Sequence, residues 1–223
     1  MFATIESKTE YFLSEDHQIT VDGFIPADEQ KHPAVLALHG SGGGHLSTAD
    51  PARMLAGMGF AVFVLHYFDR TKTVWADDRT IRIHFQTWMK TIADALTFIS
   101  AQPRVDADRM ALLGFSLGAY LGLSVATQDA RVKAVVDFFG GLPPELTHHV
   151  RHLPPVLILH GEADARVPVG EAHRLQKVLE ARQTPYEMKL YPGAGHGFDP
   201  PTMMDAVRRA LNFLNRTLRN GDS

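Results

Sequence analysis

The chain has 223 residues, of which 45% are hydrophobic and 21% are charged, and its formal net charge is −3. This length and composition are typical of one globular domain, which we expect to span residues 1–223. The charge balance provides no basic surface for nucleic acid or for a membrane, and no apolar run approaches the ~20 residues of a membrane span. Cysteine is absent, which excludes disulfides and a thiol nucleophile and is compatible with a cytoplasmic location.

The N-terminal third predicts strands at one side of a sheet. Charged residues near the N-terminus interrupt any apolar segment of a secretory signal, so none is expected. Loose alternation over residues 1–26 predicts one or two antiparallel edge strands. The continuous apolar run at residues 34–38 predicts a parallel strand that is covered on both faces. Asp50 and Pro51 then predict the start of a helix, which Gly59 would end.

The remainder alternates between apolar strands and helices. A buried strand is predicted at residues 60–65, followed by a polar and aromatic loop from Tyr67 to Asp78. Apolar residues at three- and four-residue steps from Ile81 to Ile99 predict an amphipathic helix with Trp88 in the core. Further strands are predicted at residues 110–113, 134–139, 156–159 and 187–191, with helices at 117–127, about 169–181 and through Leu218. This order predicts an α/β fold with a mostly parallel, twisted sheet and helices on both faces.

Residues 114–118, Gly-Phe-Ser-Leu-Gly, lie where a predicted strand meets a helix of small residues. In that context a G-x-S-x-G sequence forms a sharp turn that lifts the serine hydroxyl above the sheet edge. Glycines on both sides let the helix approach the strand without a Cβ clash. Ser116 is therefore the candidate nucleophile. The alternative is an ordinary strand–helix turn with an incidental serine.

A serine nucleophile needs a base that takes its proton and an acid that orients the base. Open α/β sheets gather such groups at the carboxyl ends of their strands. Asp164 follows the strand at residues 156–159, and His196 lies in a glycine-flanked loop after the last predicted strand. The chain order serine, aspartate, histidine is the one expected for this arrangement. Taken alone, the aspartate could be a helix cap and the histidine part of a surface turn.

A glycine-rich segment, residues 39–44, follows the strand that ends at Leu38. Glycines there would let the main chain approach an acyl oxygen closely. We predict that the backbone N–H groups of Ser41 and Leu117 form an oxyanion hole. Phosphate binding is the alternative, but the sequence has no G-x-x-x-x-G-K-[ST] pattern.

Together these motifs resemble the dienelactone hydrolase-like branch of the α/β-hydrolase superfamily, over most of the chain from about Pro33 onward. The matching segments are residues 39–43, 114–118, 160–164 with Val167 and Pro168, and 195–198. The resemblance implies an α/β-hydrolase fold without a large cap domain and cofactor-free hydrolysis of esters, lactones or thioesters. Dienelactone hydrolases proper use a cysteine where this chain has Ser116, and a glutamate that is missing between Leu36 and Gly44. The chain is therefore more similar to carboxylesterase-type relatives.

The expected substrate walls are Tyr67, Arg70 and Trp75, the stretch from Leu142 to Glu145, and Phe198. Aromatic walls indicate an acyl or alkyl group of modest size. Arg70 could pair with a substrate carboxylate, as arginines do in some relatives, or it could be an ordinary solvated loop residue.

No metal is expected, because His148, His149 and His152 have no ordered carboxylate partner and are interpreted as a polar connecting segment. The sequence thus predicts a cofactor-independent serine hydrolase of small carboxylic esters, as a monomer or small homo-oligomer. A dienelactone-type hydrolase, a peptidase or an acyl transferase on the same triad are alternatives. A non-catalytic binding protein of this fold would be free to lose the three residues, all of which this chain keeps.

Overall fold

The structure, a computed structural model, describes residues 3–44, 49–147, 150 and 152–219. Its strands are β1 (Ile5–Ser14), β2 (His17–Pro26), β3 (His32–Leu38), β4 (Ala61–Leu65), β5 (Val105–Phe115), β6 (Val132–Phe138), β7 (Val156–Gly161) and β8 (Tyr186–Tyr191). Its α-helices are α1 (Ala49–Gly57), α2 (Asp78–Ser100), α3 (Leu117–Ala126), α4 (Pro144–Thr147), α5 (Gly170–Ala181) and α6 (Pro200–Arg219), and Tyr67–Thr71 form a 3-10 helix.

All eight strands join one sheet in the order β1-β2-β4-β3-β5-β6-β7-β8. The β1–β2 hairpin is antiparallel, and β2 also pairs antiparallel with β4. From β4 to β8 every neighbouring pair is parallel. The carboxyl ends of these parallel strands therefore meet at one edge of the sheet, where polar loop residues can converge.

Each face of the sheet is covered by its own apolar core. Helices α2, α3 and α5 pack on one face, and α1 and α6 pack on the other. The central strands β3 and β4 are buried along their whole length, which explains their continuous apolar sequences. Trp88 is fully buried in the first core and donates its indole N–H to Thr71 at 2.9 Å, so its assignment to the core is confirmed.

The predicted elements are present, and most are longer than their apolar runs. Helix α1 begins at Ala49 rather than at the expected cap residue, Asp50, and Gly59 follows its end with a φ of +88°. Between β6 and β7, the only helix among the described residues is α4, which has four residues. No helix in the described part of the chain has the length and hydrophobicity of a membrane span.

Candidate active site

Ser116 lies on a strained turn between β5 and α3. Its φ of +52° and ψ of −117° fall in a region that side-chain-bearing residues rarely adopt. The flanking glycines permit the turn: a Cβ on Gly114 would lie 2.4 Å from the backbone of Ala119, and one on Gly118 would lie 2.3 Å from the Leu38 carbonyl oxygen. The helix therefore approaches two strands closely, and the serine hydroxyl is held above the sheet edge.

The structure brings Ser116, His196 and Asp164 into one hydrogen-bonded chain. The Ser116 Oγ lies 2.9 Å from His196 Nε2, and His196 Nδ1 lies 2.7 Å from Asp164 Oδ2. An ionised carboxylate only accepts, so His196 Nδ1–H donates to Asp164 and its Nε2 is free to accept from the serine hydroxyl. This tautomer is the one in which the imidazole can take the serine proton.

The Asp164 side chain is fully shielded from water, but both of its carboxylate oxygens accept hydrogen bonds. Its second oxygen, Oδ1, accepts the backbone N–H groups of Arg166 and Val167, each at 2.9 Å. His160 lies beneath it and donates Nε2–H to the Val167 carbonyl at 2.9 Å. Burial lowers the pKa of His160, so this ring is a neutral support for the turn rather than a second cation.

The loops that carry the acid and the base are bonded to each other. Glu162 donates its backbone N–H to the Tyr191 carbonyl at 3.0 Å, and Ala163 donates to the Ala194 carbonyl at 2.9 Å. A Cβ on Gly161 would lie 2.3 Å from that same Ala194 oxygen, so the contact is close. The side chain of Glu162 is exposed, whereas Asp164 reaches the imidazole.

The expected oxyanion-hole residues, Ser41 and Leu117, flank the serine. Leu117 is the first residue of α3, and Ser41 follows β3. Within the described residues neither backbone N–H has a hydrogen-bond acceptor. The Ser41 carbonyl accepts from Ala76 at 2.9 Å, and its hydroxyl lies 3.1 Å from Arg166 Nη2. The glycine-rich loop is thus tied to two neighbouring segments while its amide remains available.

A cleft of about 550 Å³ opens beside the serine. One wall comes from the N-terminal half of α2, and others come from the segments that follow β6 and β7. Apolar and charged side chains are mixed along it. It is lined by Ser41, Asp78, Ile81, Arg82, Phe85, Gln86, Ser116, Leu117, Tyr120, Pro143, Pro144, Glu145, Arg166 and Val167. The expected stretch 142–145 contributes three of these residues, but the other expected walls do not line the cleft.

Tyr67 and Arg70 support other parts of the molecule. Tyr67 is fully buried, stacks on the His39 ring at 4.1 Å and donates its hydroxyl to the His39 carbonyl at 2.7 Å. Burial raises its pKa well above the usual range. Arg70 forms an ion pair with Glu15 and contacts His17 in the β1–β2 hairpin. Its guanidinium is therefore engaged away from the serine, which corrects both expectations for this arginine.

The remaining expected wall residues also lie elsewhere. Leu142 is buried in the core on the α2 face, and Trp75 is 61% exposed at the surface. Phe198 belongs to an aromatic cluster, with its ring centroid 4.8 Å from that of Tyr191 and 5.3 Å from that of Phe139.

The cleft residues that sequence reasoning missed come mainly from α2. Ile81 and Phe85 continue the apolar face that the sequence predicts for this helix, but both are only half-buried. The one available signal was the neighbouring Arg82, a long cation beside an apolar stripe. Arg166 could have been suspected from its position two residues after the candidate acid.

Among the described residues, no group of three or more histidine, aspartate and glutamate side chains could hold a metal ion. In the predicted connecting segment, His148 and His149 lie outside the described residues, and His152 is exposed.

Comparison with known proteins identifies the family. The sequence pattern of the Dienelactone hydrolase family matches residues 21–217. The chain belongs to this family. Acyl-coenzyme A thioesterase 1 of Rattus norvegicus is 30% identical over 168 residues, which cover 73% of this chain and 36% of that protein. A provisionally named carboxymethylenebutenolidase of Synechocystis sp. is 24% identical over 220 residues, covering 87% of this chain and 88% of the relative.

This member of the dienelactone hydrolase family thus spans about a third of the length of the thioesterases that it matches. Among solved structures, a dienelactone hydrolase-like promiscuous phosphotriesterase from metagenomic libraries superimposes with a TM-score of 0.83 at 18% identity. The match covers 96% of this chain and 99% of that one. The α/β-hydrolase fold expected from the sequence is therefore confirmed.

Proposed function

We propose that the protein is a cofactor-independent serine hydrolase that cleaves small carboxylic esters through an acyl-enzyme. The observation that carries this proposal is the continuous hydrogen-bonded chain from Ser116 through His196 to Asp164. Ordinary surface turns have no reason to align a strained serine, a correctly oriented imidazole and a buried carboxylate. Membership of the dienelactone hydrolase family supports the same reaction class.

In the proposed reaction, the Ser116 Oγ attacks the acyl carbon while His196 Nε2 takes the hydroxyl proton. Asp164 stabilises the resulting imidazolium through the Nδ1–H bond. The N–H groups of Ser41 and Leu117 bind the oxyanion, and each such donor contributes about 3–4 kcal/mol in comparable sites. His196 then protonates the leaving alkoxide. Water, activated by the same ring, attacks the acyl-enzyme and releases the acid and the free serine.

Esters, lactones and thioesters all pass through this intermediate, so the triad alone does not select among them. The names of the relatives include a thioesterase and a carboxymethylenebutenolidase, which supports keeping thioesters and lactones as alternatives. Peptide hydrolysis and acyl transfer on the same triad also remain alternatives. The mixed polar and apolar cleft supports a substrate of modest size.

The test compares wild type with Ser116→Ala. A methyl group fits the turn but cannot attack, so we expect an unchanged unfolding temperature and no turnover of p-nitrophenyl acetate or butyrate. A fluorophosphonate probe should label wild type covalently and leave the variant unlabelled. Ser124→Ala is a matched control, because Ser124 is buried in the helix that follows Ser116 and its hydroxyl donates to the Tyr120 carbonyl, away from His196. Hydrolysis that persists in Ser116→Ala would overturn the proposal.

The monomeric or small homo-oligomeric state and the cytoplasmic location stay predictions from the sequence. Light scattering coupled to size-exclusion chromatography checks the first, and fractionation of cells that express the natural gene checks the second.

A further inference from the structure

The turn that follows β6 is strained where it meets the histidine. Phe139, the first residue after this strand, has a φ of +42°. This left-handed region is unfavourable for an aromatic residue, because its Cβ crowds the backbone. Such a conformation persists only where the surrounding contacts impose it, and it is concentrated at functional sites.

Two backbone hydrogen bonds attach this turn to its neighbours. The Ser116 N–H donates to the Phe138 carbonyl at 2.9 Å, and the Phe139 N–H donates to the Leu159 carbonyl at 2.8 Å. The turn is therefore fixed to the nucleophile on one side and to the strand before the acid on the other.

A third hydrogen bond closes the turn from within. The Asp137 Oδ1 accepts the backbone N–H of Gly140 at 2.8 Å, and Asp137 is fully buried. Gly140 lies against α3, where a Cβ would come within 2.4 Å of the Ala119 Cβ. The bond from Asp137 spans Phe139, so it holds that residue in its left-handed conformation.

The Phe139 ring meets the imidazole of His196. The ring centroids are 5.1 Å apart and the planes are inclined by 63°, an edge contact. The bonds to Ser116 and Asp164 fix two nitrogens of the imidazole, but they still allow the ring to tilt about the line that joins these atoms. The chain neighbours of His196 are Gly195 and Gly197, which have no side chains to prevent this tilt.

We propose that Phe139 is a positioning residue for His196, and that the Asp137 carboxyl holds Phe139 in place by accepting the Gly140 N–H. The inference rests on the proposed role of His196 as the base. Phe139 does not line the cleft, so it acts on the orientation of the imidazole and not on substrate binding. Its loss should lower kcat and leave KM unchanged.

Phe139→Leu tests the ring, because leucine keeps much of the volume and removes the aromatic edge. A small displacement of a reacting group can cost ~100-fold in rate, and we expect kcat to fall about 10–100-fold with KM within about twofold of wild type. Phe198→Leu is the matched control, since Phe198 belongs to the same aromatic cluster but its ring contacts, among the described residues, are with other aromatic residues and not with the His196 imidazole. Its kcat should stay within about threefold of wild type.

Proton NMR supplies a reading that does not depend on turnover. The His196 Nδ1–H shared with Asp164 should give a low-field resonance that is sharp in wild type and in Phe198→Leu. It should broaden or disappear in Phe139→Leu. If Phe139→Leu does not fold, Phe139→Gly replaces it, because glycine relieves the backbone strain while it removes the ring. An unchanged resonance together with unchanged kcat in a folded Phe139 variant overturns the proposal.

The Asp137 half of the proposal is tested by Asp137→Ala and Asp137→Asn. Asparagine keeps an oxygen that can accept the Gly140 N–H, so it should restore kcat and the resonance that alanine loses. Failure of asparagine to rescue a folded protein would show that the acceptor is not what matters and would overturn this half. A failure of the proposed function can be told apart from a failure of this inference. It would appear as an inactive wild type or an active Ser116→Ala, while the Nδ1–H resonance would still report the orientation of the His196 imidazole.

Discussion

Asp164 and Asp137 are both buried near the carboxyl ends of neighbouring strands, but their carboxyl groups have different surroundings. Asp164 accepts the His196 Nδ1–H and two backbone N–H groups. Asp137 accepts only the Gly140 N–H among the described residues, and its second oxygen has no partner there. Burial raises the pKa of Asp137 to about 7, against the weaker opposing effect of the Gly140 N–H.

Both carboxyl groups are buried, so what distinguishes their surroundings is the number of hydrogen-bond donors that reach their oxygens. A carboxylate removed from water is stable only if hydrogen bonds replace its hydration. Asp164 has such bonds on both oxygens and can balance an imidazolium. Asp137 lacks them on one oxygen, so it is suited to holding a turn and not to orienting a base.

The largest effect should come from removing the charge at Asp164. We expect Asp164→Asn to lower kcat by about 10⁴-fold, because an amide favours the wrong histidine tautomer. Asp137→Asn should keep most of the wild-type kcat, since its acceptor oxygen is retained. Initial rates on p-nitrophenyl butyrate measure both variants.

Glu162→Gln is the control for Asp164→Asn, because Glu162 follows the same strand but has an exposed side chain. It should change kcat by no more than about twofold. A large loss in Glu162→Gln with little loss in Asp164→Asn would reverse the assignment of the acid.

The second prediction concerns the pH dependence of stability. Between about pH 4 and pH 7 the unfolded chain has released the Asp137 proton and the folded chain keeps it. The free energy of unfolding of wild type should therefore fall with rising pH in this interval, relative to Asp137→Asn, by about 4 kcal/mol in all. Above pH 7 the difference should be constant.

Urea unfolding of both proteins from about pH 4 to pH 8 measures this difference. A difference that does not change with pH would mean that the folded state ionises Asp137 as readily as the unfolded chain. The contrast between the two aspartates would then be wrong.

The third prediction concerns Arg166, two residues after Asp164, and tests whether its side chain selects the substrate. Arg166 donates its backbone N–H to the acid while its side chain lines the cleft. Arg166→Ala should lower kcat/KM for a carboxylate-bearing ester about tenfold more than for a neutral ester, because a lost charged contact costs about 1.4 kcal/mol or more and the loss of the bond to Ser41 is common to both esters. Arg70→Ala, whose guanidinium pairs with Glu15, should not alter this preference.

The relevant measurement is the ratio of kcat/KM for a hemisuccinate ester and a neutral ester of equal length. If Arg70→Ala changed the ratio and Arg166→Ala did not, the carboxylate contact would lie in the segment expected from the sequence.

The smallest effect should come from the acyl chain. Each methylene that finds an apolar wall, such as Val167 or Phe85, adds about 0.8 kcal/mol, or roughly fourfold in kcat/KM. In a cleft of about 550 Å³ this gain should end early, with an optimum at about two to six acyl carbons. A p-nitrophenyl ester series measures the profile, and an optimum at long acyl chains would contradict it.

Local motifs allowed much of this molecule to be predicted. The serine turn, the acid turn and the histidine loop are each contiguous in sequence and sit at strand ends, so spacing and glycine placement identified them. The buried parallel strands were equally visible, because their apolar runs are continuous. No comparable signal marked Asp137, whose role depends on the local geometry that places its carboxyl against Gly140.

The cleft walls could not be predicted for a related reason. The apolar stripe of α2 continues from the core into the cleft, and periodicity does not indicate where one ends and the other begins. The partner of Arg70 lies 55 residues away in sequence, so its engagement was invisible before the fold was known. Both the cleft walls and the partner of Arg70 depend on contacts between segments that are distant in sequence.

The bonds between the acid turn and the histidine loop affect how activity is lost on partial unfolding. Strand β8 is the last strand of the sheet and pairs only with β7, and edge elements open at lower free energy than central ones. Opening of this edge would displace His196 and break its bond to Asp164, while Asp164 stays on the turn after β7, which still pairs with β6, and Ser116 stays between β5 and α3. The protein would then inactivate before it melts, and reclosing of β8 would restore both hydrogen bonds of the imidazole together.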